Sequence, residues 1–449
     1  MGRLSHTRTL GLWMNGERVG AWRVAPNAPD TLQYDPAWTV SPQGRPLSLS
    51  LPFTPGNAPH RGPAVRAYFE NLLPDSKDIR ERMAHRFRVG STEAFALLAE
   101  VGRDCVGALE ILPEGQAVAG VAPLQTEPLT EAQVAQVLRG ATTSRALGWS
   151  GEADDFRISI AGAQEKTALL WHDGRWHRPR GHTPTTHIFK LPLGLIGGMR
   201  LDMRHSVENE WLCAQILGAF GIPVAACQPA QFEELKVLVV ERFDRAWWTS
   251  PAGDRRLLRL PQEDLCQATG VPPEAKYEAD GGPGMDRIFD VLDGSMNREP
   301  DRRVFFLAQL LFWMLCATDG HAKNFSLFLR PGGRYQLTPL YDVLSAYPVL
   351  GGGPGQIAPL RARMAMAVRS RNAHWHRRDI MRRHWVALGA RHGVLTEEGL
   401  DASHLIDAVV TRTPAVVTAV QARLPAGFPA QVAETILAGL QDAARRLSG

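Results

Sequence analysis

Apolar and polar positions along this chain follow two rhythms, and the switches between them mark out its elements. Leu12-Trp13-Met14-Asn15-Gly16-Glu17-Arg18-Val19 alternates around an Asn-Gly pair and predicts a hairpin with a tight turn. Helical spacing follows around Val65 to Leu73 and Ser76 to Arg88, while the Pro-, Gly- and Ala-bearing stretch 113–128 reads as a connection. Two extended runs flank a small-residue turn between Arg157 and Leu170, and His187-Ile188-Phe189-Lys190-Leu191-Pro192 is a short β-type run closed by proline. Val207, Trp211, Ala214 and Leu217 recur at helical spacing in a segment that runs to about Gly221. Leu235 to Val240 is a β-branched run with a charged exit. Val304 to Thr318 is too long and too apolar for one strand, which predicts a buried helix. Phe325 to Leu329 and Tyr335 to Thr338 read as strands joined by the turn Arg330-Pro331-Gly332-Gly333-Arg334, and an amphipathic helix over Val432 to Leu447 closes the pattern. No internal repeat is visible.

The chemistry concentrates after the apolar run, in Ala317-Thr318-Asp319-Gly320-His321-Ala322-Lys323-Asn324. Asp319 precedes Asn324 by five positions and Asp342 follows beyond the predicted hairpin. Protein kinases use this order: a base Asp, a metal-binding Asn five residues on, and a second metal-binding Asp beyond a hairpin. One carboxylate must meet the substrate hydroxyl while an amide and a second carboxylate clamp metal on the nucleotide phosphates. Ordinary turn chemistry also favours Asp, Gly and Asn, so the remaining parts of such an enzyme matter. Lys190 is the cation within its strand and can reach phosphates as a point charge, or it is a solvated edge-strand lysine. Glu210, with Glu208 second, would pair with that lysine or simply form an acidic first helical turn. The turn Ala161-Gly162-Ala163-Gln164 lets backbone N–H groups approach an anion, although it is no G-x-G-x-x-G loop. Backbone groups of Glu241 to Phe243 would read adenine at a hinge, or close an ordinary buried strand. His321 orders the catalytic loop or is a packed histidine; the structural role is the preferred one.

Several longer runs resemble the HipA toxin kinases. They are Arg157-Ile158-Ser159-Ile160-Ala161-Gly162-Ala163-Gln164-Glu165-Lys166, Val240-Glu241-Arg242-Phe243-Asp244-Arg245, Arg259-Leu260-Pro261-Gln262-Glu263-Asp264, Tyr277-Glu278-Ala279-Asp280-Gly281-Gly282-Pro283-Gly284, the loop from Ala317 to Asn324, and Tyr341-Asp342. Glu70-Asn71-Leu72-Leu73-Pro74 and Val101-Gly102-Arg103-Asp104-Cys105 extend the resemblance to the amino-terminal part. The resemblance implies a bacterial serine/threonine kinase of a toxin–antitoxin system that uses ATP and Mg²⁺. Its target would be an aminoacyl-tRNA synthetase, glutamyl-tRNA synthetase in the best-known case, and its action would slow translation and promote dormancy. Asp319 would be catalytic, Asn324 and Asp342 would hold metal, Lys190 would contact phosphates, and Gln262 and Tyr341 would lie near the nucleotide. Ser159 matches an autophosphorylation site, where a phosphate's added charge would oppose the phosphates of ATP. A helix-turn-helix antitoxin of the HipB type would be the partner on operator DNA, making the protein cytoplasmic and nucleoid-associated in that complex.

The expected fold class is α+β: a two-lobed protein-kinase-like fold with an amino-terminal α+β accessory domain over 1–115, a small lobe over 150–250 and a mainly helical large lobe over 251–449. Ordinary hydrophobic content and charge exclude a disordered chain. The lack of a basic start followed by an apolar run, and of any long apolar stretch, predicts neither signal peptide nor membrane span. Five scattered cysteines without a C-x-x-C fit a reducing compartment and argue against structural zinc. Net charge is only +4, yet Arg361, Arg363, Arg369, Arg371, His374, His376, Arg377, Arg378, Arg382 and Arg383 crowd one region. That stretch reads first as a solvated helix face and second as a phosphate-contacting patch. Two rival functions are a metallophosphoesterase built on Asp319 and His321, and a catalytically silent co-repressor that binds antitoxin and DNA.

Overall fold

The computed structural model describes residues 7–116, 118, 124–141, 164–198, 200–250, 253 and 255–448. It divides into two compact units, one of residues 1–191, 230–274 and 327–335, the other of residues 192–229, 275–326 and 336–449.

Among the described residues the first unit holds two larger sheets and a small antiparallel ribbon, Arg245–Thr249 against Arg255–Arg259. A five-stranded sheet runs in the order His60–Arg61, Thr31–Tyr34, Glu17–Val24, Arg8–Met14, Leu109–Pro113. Its first hairpin turns at Asn15 and Gly16, both at positive φ (48° and 85°), the left-handed geometry an Asn-Gly pair supplies at least cost. The helices Pro63–Glu70, Lys77–Arg86 and Ala94–Val101 contribute to its core, where the Trp22 ring stacks on Phe69 with centroids 3.8 Å apart. A second sheet of six strands runs Cys227–Phe232, Leu235–Glu241, His187–Lys190, Lys166–His172, Arg175–Pro179, Thr126–Pro128. The helix Glu131–Ala141 adds Val134, Ala135 and Leu138 to the core that contains Leu169, Phe189, Val237 and Val239. Within the stretch expected to be a connection, Pro113 ends one strand and Thr126–Pro128 forms another.

The second unit is mainly helical. Helices Ala402–Gln421 and Ala430–Leu447 pack on each other and on Ser206–Ala219. The expected buried helix is present but runs Arg298–Met314, starting earlier than the apolar pattern indicates. Glu299 and Asp301 in its first turn complement the helix dipole and extend it into charged sequence. It stops because Cys316 adopts a φ of 52° and Ala317 N–H turns back to the Phe312 carbonyl at 2.8 Å. The arginine-rich stretch is not a helix face. It forms a two-stranded hairpin, Arg363–Arg369 against Ala373–His376, followed by a single 3₁₀ turn at Arg377–Asp379, and Arg382 and Arg383 open the α-helix Arg382–Arg391. The run Met364 to Val368 is buried throughout, which suits a strand, and several of the arginines are occupied locally. Arg369 binds the Glu278 carboxylate, Arg377 donates to the Trp313 carbonyl and Arg382 pairs with Asp407 at 2.7 Å.

Candidate active site

In the second unit, the buried helix Arg298–Met314 delivers the chain into the loop that carries Asp319. Gly320 allows this path: a Cβ there would stand 2.4 Å from the Phe312 ring, so a side chain would force loop and helix apart. Asp319 is 65% exposed, whereas His321, Lys323 and Asn324 are buried. His321 N–H bonds to the Asp319 carbonyl at 2.8 Å and Asn324 N–H to the His321 carbonyl at 3.0 Å, which winds the loop into a single 3₁₀ turn at Ala322–Asn324. The Asn324 side-chain amide donates to the Asp342 backbone carbonyl at 2.9 Å. Two of the three predicted residues are thus tied together, and the bond uses the amide N–H, not the oxygen that a metal would need.

Asp342 sits at a φ of 60°, a left-handed conformation that costs about 1–3 kcal/mol in a non-glycine residue and persists only where its surroundings fix it. Its neighbours are fixed on both sides. Leu340 N–H bonds to Pro223 O and Leu340 O accepts from Ala225 N–H, each at 2.8 Å. Ser345 exchanges two 2.8 Å hydrogen bonds with the Asn209 amide, and its hydroxyl donates to the Leu315 carbonyl at 2.6 Å. Asn209 lies between Glu208 and Glu210 on the helix Ser206–Ala219; all three are buried, and Glu208 stands in the acidic first turn. The Tyr341 hydroxyl donates to Lys323 O at 2.8 Å and lies 2.6 Å from Ser326 Oγ. Burial lowers the pKa of His321, with Asp319 opposing, so its imidazole is neutral at neutral pH. Its Nδ1 is buried without a hydrogen-bond partner.

In the first unit, Lys190 is 6% exposed and its strand lies between Leu235–Glu241 and Lys166–His172. It is a central-strand lysine, and the solvated edge-strand alternative is overturned. Gln164 donates to the Leu191 carbonyl. Glu241 ends its strand exposed, and Phe243 is half-buried, edge-to-face on Phe328 at 5.7 Å. Between them Arg242 N–H donates to Thr186 O at 2.9 Å. Gln262 donates to Asp244 Oδ2 at 3.2 Å while its amide oxygen is buried with no partner. Ser159, Ala161, Gly162 and Ala163 lie outside the described residues.

Among the described residues, no three His, Cys, Asp or Glu side chains come together to hold a metal. One amide and one carboxylate suit Mg²⁺, which keeps waters and shares its shell with substrate phosphates.

The sequence matches the HipA-like C-terminal domain over residues 158–417 and the HipA N-terminal domain over residues 10–112. The chain belongs to the HipA family. It is 35% identical to the candidate kinase Y4mE of Sinorhizobium fredii over 76% of this chain and 79% of that one. It is 30% identical to the serine/threonine-protein kinase toxin HipA of Shewanella oneidensis over 70% and 69%. The fold matches the S. oneidensis HipA solved with HipB and its operator DNA, with a TM-score of 0.75 and 25% identity, covering 98% of this chain and 97% of that one. The expected fold class, α+β and kinase-like, is borne out, and the protein is a kinase of the HipA family. No helix among the described residues is long and apolar enough to cross a membrane. Two features of this HipA-type loop escaped sequence reasoning. One is the Asn209 clamp on Ser345; the other is a hydrogen bond from the Tyr277 hydroxyl to Asp319 Oδ1. Tyr277 stands in a run that carries the resemblance, and its spacing alone suggests no role.

Proposed function

We propose that this HipA-family chain is an ATP- and Mg²⁺-dependent serine/threonine kinase toxin that phosphorylates an aminoacyl-tRNA synthetase, with glutamyl-tRNA synthetase the first candidate, and so slows translation. The observation that carries the reading is the loop Asp319–Asn324 with Asp342. An exposed carboxylate stands next to a buried amide locked onto the strained residue that bears the second carboxylate. Asp319 accepts the proton of the substrate hydroxyl, and Asn324 and Asp342 offer oxygen donors to the metal. Lys190 steadies phosphates, with Ala161, Gly162, Ala163 and Gln164 covering them. Glu241, Phe243, Gln262 and Tyr341 serve the nucleotide. The unpartnered Gln262 oxygen supports this, because a buried acceptor gains most from a ligand N–H. Bound Mg²⁺–ATP supplies the phosphoryl group and the charge that offsets its transfer.

In this reading residues 1–115 are an accessory domain, 150–250 the small lobe and 251–449 the catalytic lobe. Ser159 is the autophosphorylation site, and a HipB-like helix-turn-helix antitoxin recruits the protein to operator DNA in the cytoplasm. The test is incubation with γ-labelled ATP and Mg²⁺, with and without a panel of synthetases, beside Asp319→Ala. Label on Ser159 and on one synthetase, absent from the variant, is the expected result. No label from protein shown by mass spectrometry to start unphosphorylated would favour the silent co-repressor.

A further inference from the structure

The run Tyr277 to Gly284 has no part in the proposed chemistry so far, yet it ends on the catalytic loop. The Tyr277 hydroxyl donates to Asp319 Oδ1, and its ring lies edge-on to His321 with centroids 5.0 Å apart at 82°. His321 Nε2 is 3.9 Å from the same carboxylate oxygen. Tyr277 and His321 therefore both address Oδ1.

The run is built to hold that pose. Tyr277 O accepts from Asp280 N–H at 3.0 Å and from Gly282 N–H at 2.9 Å, closing a tight turn behind the aromatic ring. A Cβ on Gly282 would stand 2.1 Å from Ala275 O and 2.8 Å from Tyr277 O, so the turn closes only on glycine. Glu278 anchors it from the next position: its carboxylate accepts from Ala367 N–H at 2.7 Å and from Arg369 Nε at 3.0 Å and Nη2 at 2.5 Å. The hairpin that carries Ala367 and Arg369 thus serves as the footing of the turn.

We infer that Tyr277 is a positioning residue for the catalytic base, an inference that rests on the kinase reading of Asp319. An exposed aspartate on a loop samples several rotamers, and a general base works only when one oxygen meets the incoming hydroxyl in line. By holding Oδ1, the Tyr277 hydroxyl fixes the plane of the carboxylate and turns Oδ2 toward the substrate. During transfer Oδ2 takes the hydroxyl proton while the phenol keeps its own, so Tyr277 neither gains nor loses a proton. His321, neutral and packed, backs the phenol ring, which explains a buried histidine beside the base that makes no short bond to it.

The test is Tyr277→Phe, which deletes the hydroxyl and keeps the ring against His321. With the full-length protein, labelled ATP and the phosphorylated synthetase as readout, kcat should fall on the order of tenfold to a hundredfold, the range of one hydrogen bond to a charged group. KM for ATP and the thermal midpoint should stay at wild-type values, a split that a role in folding would not produce. Glu278→Gln, which weakens the footing, should lower kcat in the same direction by less. A wild-type kcat in Tyr277→Phe, or a loss that appears only in KM or in the midpoint, would overturn the positioning role and leave the kinase reading standing. Wild-type protein that transfers no phosphate would remove both.

Discussion

Two clusters of charge in this protein are built on opposite principles. In the first unit Arg242, Arg245 and Arg259 meet Asp104, Asp244 and Glu110 in a buried network, three charges of each sign. Asp104 alone receives Arg245 at 2.8 Å and Arg242 and Arg259 at 3.2 Å, with the Thr185 hydroxyl at 2.6 Å. Burial alone would raise its pKa; the three guanidiniums reverse that and hold it far below the usual carboxylate range. In the second unit Asp319 stands in solvent with its fixed hydrogen bond on one oxygen. The first arrangement spends its charge on itself and can do no chemistry. The second keeps charge available and rests for its geometry on neutral groups: backbone amides, Asn209, Asn324 and a tyrosine. A site that must accept a proton and hold a metal cannot also neutralise itself, which is why the groups touching its carboxylates are neutral and the ion pair of Glu278 with Arg369 stands one step back, under the Tyr277 turn.

Substitutions of similar size should therefore break the two clusters differently. Asp319→Asn should cut phosphotransfer by about 10²–10⁴-fold, the contribution of a general base, with the unfolding midpoint in urea unchanged. Asp104→Asn should do the reverse, destabilising the protein by about 3–5 kcal/mol, because three buried guanidiniums lose their shared partner. Chemical denaturation reads this directly, and the specific activity of the fraction that remains folded should stay near wild type. Gly320→Ala lies between them. Its methyl group meets the Phe312 ring, so a stability loss of about 1–3 kcal/mol should accompany a fall in kcat, since the same loop carries Asp319. A stable, fully active Gly320→Ala would show that the loop does not depend on that close approach.

The elements around the site were legible because their signals are local. The Asn-Gly turn, the short strand ending at Lys190 and the hairpin after Asn324 can each be read from a few consecutive residues. So can the spacing of Asp319 and Asn324, which a single 3₁₀ turn fixes. That the Lys190 strand is central rather than at an edge cannot. What stayed hidden depends on partners distant in sequence. Asn209 reaches Ser345 and Tyr277 reaches Asp319, and no periodicity encodes either contact. The arginine-rich stretch misled for a related reason. Charge density indicates solvent or a ligand, whereas Arg369, Arg377 and Arg382 find their acceptors in Glu278, Trp313 and Asp407, far along the chain. Asp104 stands in a run that carries the family resemblance, yet an isolated aspartate gives no sign that three arginines converge on it.

Glu263 sharpens the comparison at its small end, since it is a buried charge-bearing group that joins neither cluster. Its Oε1 accepts Leu49 N–H at 2.9 Å, its Oε2 has no partner, and burial pushes its pKa up to about 8 from an ordinary 4.5. Below the ordinary value both folded and unfolded chains hold the proton, and the group adds no pH dependence. Between the two values the unfolded chain releases a proton that the folded chain keeps, so folding stability falls as pH rises through this window. Above about 8 the folded protein must carry the buried charge or unfold. Glu263→Gln keeps the shape and stays neutral throughout, so this component of the decline should disappear. Urea midpoints at pH 5 and pH 9 should show variant and wild type close together at the lower pH and the variant more stable at the higher. Equal slopes in the two proteins would mean that Glu263 ionises in place, compensated as Asp104 is, and that the first unit tolerates a lone buried carboxylate.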